Sequence, residues 1–503
     1  MSYRPIHPVI LACGLIQVAG WVFLTLLSHG RWSEGFAYET ANNLMPTWAY
    51  VAVQGATGIA LIATFLWAHR RSMKISVSTI VLFAVAIRLI AAAGEPIHES
   101  DFYRYLWDGK MAKNKINPYL LEPGALYLYE NEIDTEFDDE TTGVTWRGRN
   151  FSEQEQQVLE KMRALREENP AMFARISHQA VTTIYPPAAQ WIFQFSASCF
   201  GDSIIGMKAI FILFDLGAVA LIILILGKLQ HPQSGAILYA WNPLVIKEFS
   251  NSAHYDSAAI FFMLLAVWLA LLPIRHWKKL VLIAAALAIG TLTKYFAILL
   301  LPVILLHLQE KRTFRVLKSP SIWIGTGTFF AVLISGFYPY FLWDDAGVTE
   351  VFRGLATYQE HWQYSPGLFA LLERFLNLLT SDSFAPAKKF AGLLLTACVL
   401  WIALFGKRDL CEKCFIAVAA LFLLSPTAFP WYYCWVLAFV PFQPRISWVV
   451  FSLLLPLNYL DFHSPGNIPL ANVLWGPFFA TQVLSWGIFL LTWISESVYR
   501  HFH

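Results

Sequence analysis

The sequence predicts an all-α, polytopic membrane protein, a helical bundle of about 14 spans with one long polar loop after the third helix. Three observations carry this reading. Of 503 residues, 57% are hydrophobic and 14% charged, where a soluble domain carries about 25% charge. Aromatic residues make up 16%, 20 of them Trp, and mean hydropathy is +0.51. Such a chain has too little polar surface to cover a soluble globule of its size. The apolar residues also gather into runs close to the ~20 residues that cross a bilayer as a helix.

In chain order, spans are expected at 6–27, 48–68, 75–93, 204–228, 234–249, 255–273, 279–293, 295–308, 320–341, 387–406, 412–428, 430–442, 445–461 and 469–494. The first is expected to be retained, since no A-x-A-like cleavage site follows it. Orientation follows from Lys and Arg in the short connections. His69-Arg70-Arg71 with Lys74, Arg275 to Lys279, Lys311-Arg312 to Lys318, and Lys407-Arg408 with Lys413 all fall on one side, which is read as cytoplasmic. Both termini then lie inside and the acidic segment 94–182 outside. Counting Thr182–Phe200 as a span would invert every later basic cluster, so it is expected to lie shallow or re-entrant, with Pro186-Pro187 at its start. The same parity makes Pro366–Leu379 an interfacial amphipathic helix. The chain divides into a two-helix N-terminal addition (1–74), a catalytic module (75–341) containing the outer loop 94–203, a second outer loop (342–386) and the last helices (387–503).

Charge narrows the function further. The 36 basic and 34 acidic residues leave a net +2, with no global basic field for nucleic acid. Residues 94–182 hold 17 Asp and Glu against 10 Lys and Arg, half of the acids in the chain. The six cysteines, at 13, 199, 398, 411, 414 and 434, avoid that loop, so no disulfide framework is expected. Cys411-x-x-Cys414 has no second pair and reads as inert thiols.

The polar groups outside concentrate in five connections. Glu99-Ser100-Asp101 follows the third span directly. Asp101, Arg104, Tyr105 and Asp108 recur at three- and four-residue spacing and share one helical face. A carboxylate there can take a proton from a hydroxyl nucleophile; the alternative is an ion-paired helix surface, Arg104 with Asp101 and Asp108. His254-Tyr255-Asp256 offers imidazole and carboxylate for a divalent cation such as Mg or Mn, or equally a hydrogen-bonded pair at a helix start. Lys294 sits between two apolar segments, where a cation without a partner is expensive, and can bind a phosphate or snorkel to the head groups. Arg353 and His361 are further cations in the second outer loop. The stretch Glu130–Glu140 is expected to be solvated, and Phe151–Arg175 to be a charged amphipathic helix over the site.

Taken together, these residues resemble the GT-C superfamily, multi-spanning glycosyltransferases that use polyprenyl-phosphate sugars. The run ESDFYRYLWDGKMAKNKINPY is similar to their first outer loop, with Glu99-x-Asp101 as the acidic pair and Asn117-Pro118-Tyr119 as the end of a G-I-N-P-Y element in which Lys115 replaces Gly. Ile184 to Gln190 resembles Y-P-P-L-A-Q, Trp241 to Leu244 with His254-x-Asp256 resembles N-P-L … H-N-D, and Ser425-Pro426-Thr427 with Pro430-Trp431-Tyr432 resembles S-P … H-P-W-Y, Phe429 standing in place of the His. The similarity spans roughly 75–440 in five separated matches, nearest to bacterial polyprenol-phosphate-mannose-dependent members.

The resemblance implies inverting transfer of a sugar, mannose first, from a polyprenyl-phosphate donor to a hydroxyl of a glycan or lipid-linked acceptor. Asp101 is then the base, with Glu99 as the fallback. It implies donor-phosphate binding by Lys294, Arg353 and His361, and acceptor or sugar contacts from Arg104, Tyr105, Asp108, Tyr185, His254 and Asp256. The setting is the bacterial inner membrane, the site facing the periplasm, with no certain cofactor. Two readings compete. A flippase or transporter of lipid-linked sugars would place charges at the bilayer midplane, where Asp215, Lys247 and Glu248 are the candidates. A polymerase or ligase taking the whole lipid-linked glycan would share the fold.

Overall fold

The computed structural model describes residues 6–30, 45–133, 135–138, 145–148, 150–309, 318–364, 367–380, 383–459 and 477–502. The basic run at 310–317, the start of the last expected span and part of 130–140 lie outside them. The described residues are mostly helical, in keeping with the composition. One departure is a three-residue antiparallel pair, Glu136–Asp138 with Thr145–Arg147, inside the long polar loop.

The helices run α1 (Pro8–His29), α2 (Met45–Arg70), α3 (Val77–Ala93), α4 (Asp101–Lys113), α5 (Ala125–Glu130), α6 (Glu153–Glu168), α7 (Pro170–Ala174), α8 (Pro187–Phe200), α9 (Ile204–Lys228), α10 (Asp256–Leu271), α11 (His276–Thr293), α12 (Leu300–His307), α13 (Pro320–Leu342), α14 (Gly347–His361), α15 (Gly367–Asn377), α16 (Phe384–Phe405), α17 (Leu410–Leu424), α18 (Ile446–Leu454) and α19 (Pro477–Phe502). Among the described residues six are long and apolar enough to cross a membrane: α1, α2, α9, α11, α13 and α16. Pro243–Asn251 meets α10 at 119°, a bent pair with the form of a broken span or a re-entrant loop. Val77–Ala93, Tyr295–His307 and Ile446–Leu457 are shorter apolar segments.

Several expected spans are thus shorter or interrupted, and proline explains it. Pro232 and Pro243 divide 233–251 into brief turns, and Pro430 and Pro441 reduce 430–442 to three pieces, Pro430–Tyr432, Tyr433–Leu437 and Val440–Phe442. Each proline removes an N–H and crowds the preceding turn. Such irregular backbone survives at membrane depth only when protein surrounds it, and these residues are buried. At 14 residues, α8 spans ~21 Å at 1.5 Å per residue, short of a ~30 Å hydrocarbon core.

One apolar core joins α1, α2 and α3 to α9 through α12, α17 and α18. The first two helices therefore pack into the same body as the rest; Gln54 of α2 donates to the Pro243 carbonyl at 3.2 Å. A second apolar cluster builds the polar loop's own lobe, where α4, α6, α7 and α8 meet through Trp107, Leu159, Met162, Phe173 and Phe193. The expected charged helix over 151–175 is α6 with α7. It opens with a capping box between Ser152 and Glu155 and is tied down by Arg163 and Arg166 on Glu130. α15 leaves Leu371, Phe375, Leu378 and Leu379 just beyond its end exposed, with Phe369 buried.

Candidate active site

Seven residues carry the chain from the end of α3 to Asp101 without regular structure. Ser100 is the N-cap of α4 and Asp101 its first residue. Glu99 folds back on this start: its Oε1 accepts from the Ser100 and Asp101 amides, both at 2.9 Å. A carboxylate capping two helix N-terminal amides satisfies donors that the helix cannot. The other oxygen, Oε2, lies 2.8 Å from His254 Nε2, which is also 3.3 Å from Glu248 Oε2. Burial alone would raise the Glu99 carboxyl, but His254, then Lys247 and the Asp101 amide, outweigh it and hold it below its ordinary value.

Asp101 stands in the opposite condition. Its carboxylate makes no hydrogen bond or ion pair among the described residues and borders a cavity of about 910 Å³. Burial, then the neighbouring Glu99 charge, push it from 3.8 up to about 7, against the pull of His254 and Lys294. The expected pairing of Arg104 with Asp101 does not form. Arg104 instead donates through Nε to Asp108 (2.8 Å) and through Nη1 to the Val181 carbonyl (2.9 Å), and Gln190 holds the second Asp108 oxygen at 3.1 Å. The ion-pair reading is therefore right for Asp108 and leaves Asp101 open. Arg104 lines the cavity, whereas Asp108 is buried behind it.

The other wall comes from the bent pair Pro243–Asn251 and α10. Asn242 caps a single turn, accepting from Leu244 N at 3.0 Å, and Pro243 takes its first position. A π-turn over Lys247–Asn251 follows and delivers Glu248 and, after the bend, His254. Such turns recur at functional sites. Lys247 Nζ reaches Glu248 at 3.1 Å and the Tyr459 hydroxyl at 2.6 Å, and that hydroxyl donates to Glu248 at 3.0 Å. Asp256 opens α10 with both oxygens occupied, one by Trp435 Nε1 (2.8 Å), the other by Lys294 Nζ (2.7 Å). Lys294 thus has the partner its position demands; its ammonium lies over the rings of Tyr432 (4.5 Å) and Tyr255 (4.8 Å) and borders the cavity.

The structure brings Glu99, Asp101, Arg104, Tyr105, Tyr185 and Lys294 to one cavity, with His254 and Asp256 immediately behind as buried partners. Tyr105 and Tyr185 pack edge to face with Tyr255 at 5.3 Å each. Arg353 and His361 are elsewhere. Arg353 donates to the Leu120 carbonyl and pairs with Glu350 and Glu122, and His361 contacts the Thr357 carbonyl on an exposed turn. Sequence reasoning missed Lys247, Glu248 and Tyr459 as neighbours of the acidic pair, and His98, which lines the cavity and shares a hydrogen bond with Thr47 at 3.0 Å. The signal was available for the first two, as ionisable residues in an apolar run.

Aromatic rings form the remaining wall. His254, Trp431, Phe429 and Tyr364 stack in sequence, with centroids 4.0, 4.5 and 4.4 Å apart. A parallel bridge joins Tyr364 to Thr427, fixing the second loop to the Ser425–Thr427 turn. Phe429 continues this stack and brings no ionisable group.

Glu99, Glu248 and His254 offer three ligand atoms within 4.8 Å of one another, the chemistry a divalent cation accepts. Part of that capacity is committed, however: Glu99 Oε1 to two amides and Glu248 to Lys247 and Tyr459, while Glu99 Oε2 faces His254 Nε2. A lysine ammonium on a would-be ligand opposes a second cation. The cluster fits an ion-paired network better than a ligand set.

The helices gather an acidic pair, a paired lysine and aromatic rings around one cavity, and a comparison with known proteins indicates a membrane glycosyltransferase of the GT-C type. Residues 185–343 match the family model for dolichyl-phosphate-mannose-protein mannosyltransferase. That stretch contains Tyr185, His254, Asp256 and Lys294; Glu99 and Asp101 precede it. No curated protein and no solved structure matches the chain.

Proposed function

We propose that the protein transfers a sugar, mannose first, from a polyprenyl-phosphate donor to an acceptor hydroxyl on a glycan or lipid-linked glycan, at the outer face of the membrane. The observation that carries this is the open Asp101 carboxylate, held near neutrality in a cavity that Lys294 also lines. The acceptor hydroxyl enters beside Asp101 and gives it the proton as its oxygen bonds to C1 of the sugar. The C1–O bond to phosphate breaks on the opposite face, so the configuration inverts. Polyprenyl phosphate leaves with the electron pair, stabilised by the Lys294 ammonium.

An Asp near pH 7 suits a base, because ordinary carboxylates are too weak to accept the proton and stronger bases would be protonated. Lys294 acts where charge develops in the transition state, and its stretch lies in the matched segment. Glu99 is better placed as the cap and anion that shape Asp101 than as a second base, both its oxygens being engaged. No step runs through a metal ion. Arg353 and His361 can meet only the outer parts of a long acceptor.

Transport of the lipid-linked sugar would call for charges open to a central path. Charges within the spans are instead held by protein groups: Arg88 Nε donates to Asp215 at 2.7 Å, Tyr239 holds the other Asp215 oxygen, Lys247 pairs with Glu248, and Lys208 donates to two backbone carbonyls. The Lys and Arg of the short loops support a cytoplasmic side opposite the cavity, and with it a bacterial inner-membrane enzyme facing the periplasm. The deciding experiment is transfer from synthetic polyprenyl-phosphate mannose by the purified protein in lipid, beside Asp101→Asn. Polyprenyl phosphate released by the original and not by the variant supports the reading; equal release by both removes Asp101 from the chemistry.

A further inference from the structure

The path from α3 to Asp101 presents a problem the mechanism does not address. Residues 94–100 have no regular structure, so their peptide groups need partners from outside, and a loop near membrane depth cannot leave them bare. The partners are side chains of buried residues on other elements. Asn251, on the π-turn, makes three bonds to this one stretch: Nδ2 to the Ala91 carbonyl (3.2 Å) and the Glu95 carbonyl (2.9 Å), and Oδ1 from the Ile97 amide (2.8 Å). Lys208 on α9 sends its buried ammonium to the carbonyls of Ala92 (3.2 Å) and Gly94 (2.7 Å). These are the orphan carbonyls at the end of α3, where a cation also meets the negative end of the helix dipole. Ser28 of α1 accepts from the Glu95 amide at 3.0 Å.

We propose that Asn251 and Lys208 are positioning residues for the transfer reaction: they fix the course of the 91–97 backbone and thereby the placement of Asp101 against the cavity. Neither touches the cavity, so neither is a catalytic residue. Their geometry exceeds what a stable fold asks of them. A single buried amide satisfying three backbone groups of one loop leaves that loop one conformation. The same π-turn that carries Asn251 also carries Glu248, which with His254 faces the Glu99 carboxylate. Backbone and carboxylate of the acidic turn are thus gripped from one element at two points. Lys208 has no carboxylate within ion-pair distance among the described residues; the carbonyls are its partners.

This inference rests on Asp101 as the base, and the test separates the two. Asn251→Ala and Lys208→Met are prepared in lipid beside the original and Asp101→Asn. Backbone hydrogen exchange is read over 95–101, and transfer is read as kcat and donor KM. Expected is exchange at Glu95 and Ile97 accelerated at least about tenfold in Asn251→Ala, with α9 unchanged. Also expected is a kcat loss of about 10- to 100-fold, the scale of a ~1 Å misplacement at a reacting centre, with donor KM within about twofold because Lys294 is on a different element. Asn251→Ala/Lys208→Met should lose less than the product of the single losses, since both act on one loop. Unchanged exchange over 95–101, or a KM rise matching the kcat loss, overturns the positioning role. If Asp101→Asn keeps its rate while exchange still quickens in Asn251→Ala, the strut stands and the base assignment falls.

Discussion

The sharpest prediction concerns the acid limb of the pH–rate profile. Asp101 is pushed up to about 7 by burial and by Glu99, while His254 and Lys294 pull it down and Asp256 adds a smaller upward push. A base works in its ionised form. At pH 6 the ionised fraction is about one tenth and at pH 5 about one hundredth, so kcat/KM should fall about tenfold per unit below neutrality. An ordinary Asp, at about 3.9, would give a flat profile over that range. The donor is a phosphodiester and does not titrate there, so the limb belongs to the protein. Glu99→Gln keeps the oxygen that caps the Ser100 and Asp101 amides but removes the like charge; the limb should move to lower pH while burial keeps it above the ordinary value. Asp101→Asn should lose about 10²- to 10⁴-fold above neutral pH, the usual range for a general base, and its profile should lack this acid limb. The same shift bears on stability. A proton bound more tightly in the folded chain than in the unfolded one stabilises at low pH, and that contribution is lost as pH rises from about 4 through 7. Asp101→Asn should therefore melt higher than the original at pH 8, the gap narrowing as pH falls and closing only at about pH 4. A limb below about pH 5 in the original, measured where chemistry limits the rate, would refute the assignment.

Lys294→Met should raise donor KM and lower kcat together, and it leaves Asp256 buried with only Trp435. A melting loss equivalent to about 3–5 kcal/mol is expected, and Lys294→Arg, which keeps the charge, should recover much of the stability. Arg88→Met should unfold the protein more readily by about 3–5 kcal/mol through the stranded Asp215, while Arg88→Met with Asp215→Leu should regain most of it; a double variant no better than the single would show the pair to be needed in itself. A Cβ on Gly109 would meet the Phe193 carbonyl where α4 packs on α8. Gly109→Ala should force α4 away, carrying Asp101 with it, and lower kcat more than donor affinity in a binding measurement on polyprenyl phosphate. Cysteines placed at Arg71 and Lys279 should label from the same side of the membrane, and labelling from opposite sides would invert the proposed topology.

Much of the architecture was legible in the sequence because membrane helices answer to a local rule, a run of apolar residues. The starts of α3, α9, α13 and α16 fall within a few residues of the hydropathy boundaries. The rule fails where proline cuts an apolar run. Residues 234–249 and 430–442 are hydrophobic enough for spans yet fold as turns, and hydropathy does not register a missing N–H. The acidic pair was legible because Asp101 and Arg104 open a helix directly after a span. Which acid Arg104 takes was not, since spacing allows both Asp101 and Asp108. The choice is made by Val181 and Gln190, some eighty residues away. Lys294 with Asp256, Arg88 with Asp215 and Asn251 with the 91–97 backbone are likewise long-range pairings set by helix register, which no local pattern encodes.

The pattern of satisfied charge around the cavity makes the strongest case for where chemistry occurs. Glu99 holds two amides and faces His254; Arg104 is paired with Asp108 and a carbonyl; Arg175 donates to the Tyr103 hydroxyl at 2.8 Å; Lys294 is bound to Asp256. Each of these groups loses hydration at the cavity wall, and each has a protein partner that offsets the loss. Of the two carboxylates lining the cavity, Asp101 is the one that makes no hydrogen bond or ion pair with a described residue. A protein selected only for stability would gain by pairing it, and Arg104 stands one helical turn away with the reach to do so. That the guanidinium is turned instead toward Asp108, and anchored there by Val181, is the arrangement expected of a carboxylate kept open for a substrate's proton.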